Sequence, residues 1–297
     1  MRRANGKRLE PLTARVAGPL AVGQIPSSVA AAFLAGTESA RQEELAALRR
    51  EQEELQQALF EAAQVQRKIC APRELRRGSM EIAGEMFAVR HLSGDFLKVL
   101  DLGPVVGLAV GDIAGKGLSA GLWLAHLVGL IRIYAGEHDE LPAAMAAINR
   151  ELCGQSAEPP LAALFLARLD PLTGELVYSN AGQPAALLLC RGGHVESLQD
   201  GGPMLGAVSD ATFACGRAVL EPGDTLVACS DGVVECHNPQ EEEFGTQRLA
   251  AAIVAAGGAS ASQALFSTLA AVMDFAGGHP LADDLTLMVA HWRATLH

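Results

Sequence analysis

A change of pattern at Pro72 limits this chain more than any other feature. From about Ser28 to Cys70 it is built from Ala, Glu, Gln, Leu and Arg, with no proline after Pro26. That is the composition of a long helix, with Gly36 as the one expected break. Beyond Pro72 come short runs of β character divided by turn signals. One long helix followed by many short strands and a few grouped helices places the chain in the α+β class. Its 297 residues, 49% of them hydrophobic, suffice for a large domain with a sizeable core and an accessory segment.

Three segments are expected. Residues 1–27 mix Arg, Gly and Pro without periodicity and read as a flexible N-terminal segment. Residues 28–72 form a helical linker in which Leu45, Gln52, Leu59 and Gln66 recur every seven positions, with Leu48, Leu55, Ala62 and Ile69 three places later. This is a heptad seam, weakened by two core glutamines, and it suits a short coiled coil that pairs two copies of the chain. The competing reading is an amphipathic helix packed on its own domain; dimerisation is preferred by a small margin. Residues 73–297 form the main domain.

Within that domain, strands are expected over about 80–90, 95–101 and 105–112, then helices over 117–136 and 141–153. Further strands are expected at 161–169, 175–179, 185–190, 194–197, 213–220 and 225–229. Turns at Asp170-Pro171, Gly192-Gly193 and Pro222-Gly223-Asp224 separate them, in the manner of an antiparallel meander. Helices at 246–256 and 260–275 precede a last strand at 285–291.

Charge and cysteine usage exclude several functions. A net charge of −11, from 34 acidic and 23 basic residues, argues against a nucleic-acid partner or an anionic membrane surface. The six cysteines contain no C-x-x-C pair, so neither a zinc site nor a disulfide framework is indicated, and they read as reduced, mostly buried thiols. The most apolar run, Leu118 to Ile131, is too short to cross a bilayer, and no export signal follows the opening Met-Arg-Arg. A cytoplasmic protein is expected.

The chemistry lies in aspartates beside small residues at strand ends: Ser93-Gly94-Asp95, Gly111-Asp112-Ile113-Ala114-Gly115-Lys116-Gly117, Ser230-Asp231-Gly232 and Asp283-Asp284-Leu285-Thr286. Carboxylates converging from separate strands suit hard divalent cations such as Mg²⁺ and Mn²⁺. Singly, each is as well explained by a turn or a helix cap. The glycine-rich segment does not satisfy G-x-x-x-x-G-K-[ST], and no G-x-S-x-G or H-E-x-x-H is present.

The aspartate motifs, taken in order with Gln66–Pro72, Asn180-Ala181-Gly182, Pro203-Met204-Leu205-Gly206 and Gly223-Asp224, resemble the RsbU/SpoIIE branch of the metal-dependent PPM (protein phosphatase 2C-like) phosphatases. The resemblance runs from about Ala63 to the C-terminus. It implies a four-layer sandwich of two antiparallel sheets flanked by helices, preceded here by the N-terminal helix. It also implies hydrolysis of phosphoserine or phosphothreonine by water activated between two Mn²⁺ or Mg²⁺ ions. Asp112 would bridge the ions with the Ile113 carbonyl assisting, Asp231 and Asp283 would hold the second, and Asp95 would complete the site directly or through water. A phosphorylated STAS-domain anti-sigma-factor antagonist is the implied substrate.

The chain departs from the family pattern at Ser93, Leu97, Lys98 and Gln183. Lys98 brings a positive charge near the acidic motif, although a side chain extended to solvent is the preferred reading. Gln183 replaces a histidine. His91, His126 and His237 have ordinary explanations, which leaves no clear proton donor. The alternatives are a non-catalytic regulatory module of the same fold and, ranked last, a hydrolase of small phosphorylated metabolites.

Overall fold

In the computed structural model, residues 27–71, 73–89, 91–156, 158–256 and 260–293 are described, with side chains described from residue 41 onward. The expected flexible segment 1–27 and the Pro72 stop lie almost wholly outside them. The chain divides into two compact units at Leu55/Gln56. Helix α1 (Ser27–Cys70) passes through Gly36 without a break; one glycine costs only about 1 kcal/mol inside a long helix.

The lower part of the expected seam does not face a second chain. Ala63, Gln66 and Cys70 are buried and Leu59, Ala62 and Ile69 half-buried, with Ile69 and Cys70 in the core beneath α2. Higher up, Leu45, Leu48 and Leu55 are 47%, 54% and 60% exposed. The pattern is thus partly spent on the chain itself, since from Leu59 to Cys70 the helix packs on its own domain.

The remainder is a sequence of short strands and helices: β1 (Glu74–Arg77), β2 (Met80–Phe87), β3 (Asp95–Leu102), β4 (Val105–Ile113), α2 (Leu118–Glu137), α3 (Leu141–Gly154), β5 (Ala162–Leu169) and β6 (Glu175–Ala181). Then follow β7 (Ala186–Leu189), β8 (Val195–Leu198), β9 (Gly201–Gly202), β10 (Gly216–Val219), β11 (Thr225–Cys229), α4 (Asp231–Val234), α5 (Gly245–Ala255), α6 (Ala261–Ala276) and β12 (Leu285–Trp292). One sheet has the order β1-β2-β12-β11-β7-β8 and the other β10-β6-β5-β4-β3. All these pairs are antiparallel; the two-residue β9 adds a parallel pairing to β6.

The strands from 161 to 229 are therefore not one meander. The chain leaves β6 for β7 and β8 in the other sheet and returns at β9 and β10, because each sheet needs an apolar partner across the sandwich. Three apolar clusters make the four layers. One lies under α2 and α3 with Phe96, Leu124 and Leu164; a second between the sheets with Leu97, Leu108 and Phe165; a third under α5 and α6 with Leu187, Leu269 and Val289. Residues 96–100 and 106–110 contribute to both faces of their sheet, which is why they read as near-continuous apolar runs.

Helix α2 is longer than its apolar core suggested. At 20 residues it has the length and hydropathy to cross a membrane. Instead, Leu124, Leu127, Val128 and Ile131 are buried in the first cluster, and a core position accounts for the composition. Its C-terminus is closed by the Arg168 guanidinium, which donates to the carbonyls of Ala135, His138 and Asp139.

Candidate metal centre

The expected carboxylates come from both sheets and meet at one end of the sandwich. Asp95 opens β3 and Asp112 stands near the end of β4, and the register sets the two directly opposite each other. Like charges so placed destabilise a strand pair. Asp231 follows β11 as the first residue of α4, and Asp283 precedes β12. Since β11 and β12 are paired, these two also share one sheet end. The ends are joined where Ser93 Oγ donates to Asp284 Oδ2 at 2.5 Å, while within the β11–β12 sheet Ser230 exchanges bonds with Thr286, N to O at 3.0 Å and Oγ from N at 3.1 Å.

Glycines let the backbones approach. A Cβ on Gly94 would lie 2.7 Å from the Ile113 carbonyl and 2.8 Å from Asp112 Oδ1; one on Gly232 would lie 2.0 Å from the Asp284 carbonyl. The Asp-Gly and Gly-Asp pairs, individually ordinary turn signals, are here steric requirements of the junction.

The electrostatics identify which carboxylates are under stress. Burial holds the Asp95 carboxyl well above its ordinary range, and Asp112 and Asp284 push it further, against the hydroxyls of Ser230 and Thr286 nearby. Burial, then Asp231 and Asp283, raise Asp112 to about 6. Asp95 is 3% exposed and its Oδ2 has no hydrogen-bond partner. A buried, unpartnered carboxylate oxygen costs on the order of 1–3 kcal/mol, more if charged, and a cation bound there would both relieve it and offset the repulsion. The donors present, all hard oxygens, fit Mg²⁺ or Mn²⁺.

The remaining carboxylates are drawn onto local donors. Asp231 Oδ1 accepts Gly232 N–H at 2.7 Å, Asp283 Oδ1 accepts Asp284 N–H at 3.0 Å, and Asp283 Oδ2 lies 3.3 Å from Lys116 Nζ. As they stand, no three His, Cys, Asp or Glu side chains among the described residues are gathered closely enough to hold an ion. Asp95 and Asp112 are set by the strands; Asp231 and Asp283 would have to turn toward them.

Sequence reasoning missed Asp284. Of the Asp283-Asp284 pair the second is the buried one, accepting Val89 N–H at 2.7 Å as well as the Ser93 hydroxyl. It reads as a strut that ties the two sheet ends together. Nothing in an Asp-Asp dipeptide says which member turns inward.

Lys98 differs from both expectations. It neither approaches the aspartates nor extends to solvent, but donates to the Ile69 carbonyl at 2.6 Å and to that of Ala71. Gln183 holds a turn: its N–H donates to Asn180 Oδ1 at 2.9 Å, and Asn180 Nδ2 donates to its carbonyl at 3.0 Å. Two thiols stand near the aspartates, Cys229 in the core and Cys236 on the cavity beside Asp231, and burial raises both. Cys229, beside Asp95 and Asp231, is pushed by burial to about 12, far from a reactive thiolate.

Two cavities meet at Asp283. One of about 80 Å³ is lined by Gly94, Asp112, Gly115, Lys116, Asp283 and Asp284, the other, of about 330 Å³, by Asp231, Glu235, His237, His279 and Asp283 among others. His237 thus stands closer to the chemistry than its sequence context indicated, joined by His279. A larger groove of about 800 Å³ lies between the β3–β4 hairpin and the end of α2. It has no carboxylate cluster, so chemistry rather than size marks the site.

Comparison with known proteins bears on the family and the fold. The family model for stage II sporulation protein E (SpoIIE) matches residues 103–293. Protein IcfG of Synechocystis is 26% identical over 188 residues, 54% of this chain but only 30% of that protein; the chain thus spans under a third of that relative. Phosphoserine phosphatase RsbU of Bacillus subtilis is 24% identical over 252 residues, 82% of this chain and 72% of RsbU. The solved SiaA-PP2C domain of Pseudomonas aeruginosa superposes with a TM-score of 0.68 at 19% identity, covering 80% of this chain and 97% of that one. The two-sheet sandwich is accordingly the PP2C fold, and the chain belongs to the SpoIIE family.

Proposed function

We propose that this protein is a metal-dependent phosphatase that removes phosphate from serine or threonine of a partner protein. The observation that carries the reading is the pair Asp95 and Asp112, set opposite each other, both carboxyls raised and the Asp95 Oδ2 buried without a partner. A fold gains no stability from that arrangement, so a cation is its physical justification. Asp95, Asp112, Asp231, Asp283 and the Ile113 carbonyl are the proposed ligands of two Mg²⁺ or Mn²⁺ ions. Such ions supply a water of lowered pKa and neutralise the charge of the transferred phosphoryl group. For its part, the chain holds Asp112 by strand register, keeps Asp284 as a strut, and leaves Asp231 and Asp283 on connections that can adjust.

The membership of the family and the likeness to RsbU support a phosphoprotein substrate, and the resemblance of the motifs narrows it to a phosphorylated STAS-domain antagonist of an anti-sigma factor. The same reading makes the protein cytoplasmic, with domain limits at 1–27, 28–72 and 73–297. Phosphate release from a phosphoserine protein is the test, with Mn²⁺, with Mg²⁺ and after chelation. Turnover that needs metal and disappears in Asp112→Asn and Asp231→Asn is expected; metal-independent turnover, or none by a folded metal-bound protein, would overturn it. Competition by free phosphoserine would indicate a small-metabolite hydrolase instead. A regulatory module without catalysis is favoured by one observation, the ungathered carboxylates, and would bind Mn²⁺ weakly or not at all in calorimetry.

The exposed Leu45, Leu48 and Leu55 are the proposed site of pairing between two chains, each leucine adding apolar area at the heptad spacing. Sedimentation is expected to show a dimer that Leu48→Arg with Leu55→Arg converts to monomer. A monomeric wild-type chain would end the idea.

A further inference from the structure

The last turn of α1 is fastened to the polypeptide on both sides of Asp95. On the N-terminal side, Gln66 Nε2 donates to the Ser93 carbonyl at 2.8 Å, and Gln66 Oε1 accepts Ser93 N–H at 3.2 Å. Ser93, two residues before Asp95, is fully buried; its hydroxyl accepts Asp95 N–H at 3.0 Å while donating to Asp284. On the C-terminal side, Lys98, three residues after Asp95, places its ammonium on the Ile69 and Ala71 carbonyls, where the helix leaves acceptors without partners and its dipole favours positive charge.

Neither residue is what packing alone would select. Gln66 is 5% exposed at a heptad core position and packs against α2, where a Cβ on Gly121 would lie at an ordinary contact distance of 3.5 Å from its Nε2. A leucine would fill such a place without the desolvation cost of an amide. Lys98 stands on the edge strand of its sheet, where its four-carbon stem must be ordered to reach the helix end, at a cost in side-chain entropy of up to about 2 kcal/mol. What both polar groups add is direction, since hydrogen bonds to backbone atoms fix one register and one rotation of the helix where apolar contact tolerates several.

We propose that Gln66 and Lys98 are positioning residues for Asp95, and that the end of α1 thereby sets the affinity of the metal centre. The proposal rests on the metal-binding reading given above. Neither side chain touches substrate or metal; each acts through the main chain of β3, one from before Asp95 and one from after it. A displacement of the last helical turn is transmitted to the most buried carboxylate of the site through both contacts, and through Ser93 to Asp284. Loss of partners that orient a ligand weakens metal binding by about 10–100-fold in comparable sites.

The test uses the full chain with Gln66→Met, Lys98→Met and both together, and Lys98→Arg as the conservative replacement. Amide hydrogen exchange is followed across residues 94–98 in metal-free protein, and Mn²⁺ affinity is measured by calorimetry. The double variant is expected to exchange about tenfold faster at these amides, with β12 and α6 unchanged, and to bind Mn²⁺ about tenfold more weakly. Lys98→Arg, which can still donate to both carbonyls, is expected to retain wild-type values in both measurements. Unchanged exchange and affinity in the double variant, or lost affinity in Lys98→Arg equal to that of Lys98→Met, would overturn the proposal. A wild-type chain that binds no Mn²⁺ would overturn the metal reading instead, and exchange would then decide by itself whether Gln66 and Lys98 hold this strand.

Discussion

The two halves of the aspartate site are built on different principles. Asp95 and Asp112 sit on paired strands that are packed on both faces, so the backbone register sets them opposite each other. Asp231 and Asp283 sit on the connections beside β11 and β12, where each accepts the N–H of its own successor. The strand half is rigid and carries the charge stress; the loop half is locally satisfied and adjustable. A centre made this way can have its place set by the fold while its closure depends on what binds.

Removing one carboxylate from each half should break the symmetry most strongly. Asp112→Asn and Asp231→Asn are both expected to lower metal-dependent phosphate release by more than about 100-fold, beyond the cost of an outer-shell partner. Asp112→Asn is expected to raise the melting temperature in chelator more than Asp231→Asn, because Asp112 is the carboxylate raised by burial and repelled by Asp231 and Asp283 together. Equal stabilisation by the two variants would show that the halves are not different in kind.

Next in size are the glycines at the junction. Gly232→Ala is expected to destabilise the metal-free protein by about 1–3 kcal/mol in urea denaturation, because its Cβ would meet a backbone carbonyl at 2.0 Å rather than a side chain that could turn away. Gly94→Ala should cost less, since one of its two close contacts, Asp112 Oδ1, belongs to a side chain. The reverse order would mean that the loop half, despite its adjustable carboxylates, has the softer backbone.

Much of this was legible in the sequence, for reasons that differ by element. Strands β3, β4, β5 and β12 announce themselves as apolar runs between turn signals, and the aspartates stand where those runs end. Strand β1 escaped because Glu-Leu-Arg-Arg is an edge strand of alternating exposure, whose charges look like loop. Strand β9 is two glycines held by pairing to β6, a contact with no local pattern. The division of strands between two sheets is hidden too, since alternation shows a buried face but not what covers it. Lys98 and Gln66 reach backbone atoms 27 to 29 residues away, and a side chain bonded to a distant carbonyl leaves no trace in spacing or composition.

The pH dependence of the metal-free protein sharpens the comparison further. Asp112, raised to about 6 from an ordinary 3.8, keeps its proton in the folded state after the unfolded chain has lost it. Its contribution therefore destabilises the fold as pH rises through about 4 to 6, and the penalty is complete above about 7. At about 1.4 kcal/mol per pH unit, reduced for the partial exposure of the carboxylate, the loss is about 1–2 kcal/mol. The difference in stability between Asp112→Asn and wild type should grow by that amount between pH 4 and 7, and saturating Mn²⁺ should abolish it. A pH-independent difference would mean that the Asp112 carboxyl is not held above its ordinary range in the folded protein.

The smallest effect belongs to the half-exposed ion pair of Lys116 and Asp283, 3.3 Å apart. Lys116 stands between Gly115 and Gly117, whose φ angles of 114° and 81° lie in the region that glycine alone enters freely, so its position is set by the turn rather than by the pair. Exposed pairs contribute about 0–1 kcal/mol, and Lys116→Ala should change the melting temperature of the metal-free protein very little. Its charge nevertheless occupies the Asp283 oxygen that a cation would need, which makes lysine and metal competitors for one carboxylate of the adjustable half. Mn²⁺ affinity in Lys116→Ala should therefore rise by a small factor, about two- to fivefold, the equivalent of that same 0–1 kcal/mol. A fall in affinity would place Lys116 among the groups that organise the loop half, and that half would then be less free than its local hydrogen bonds indicate.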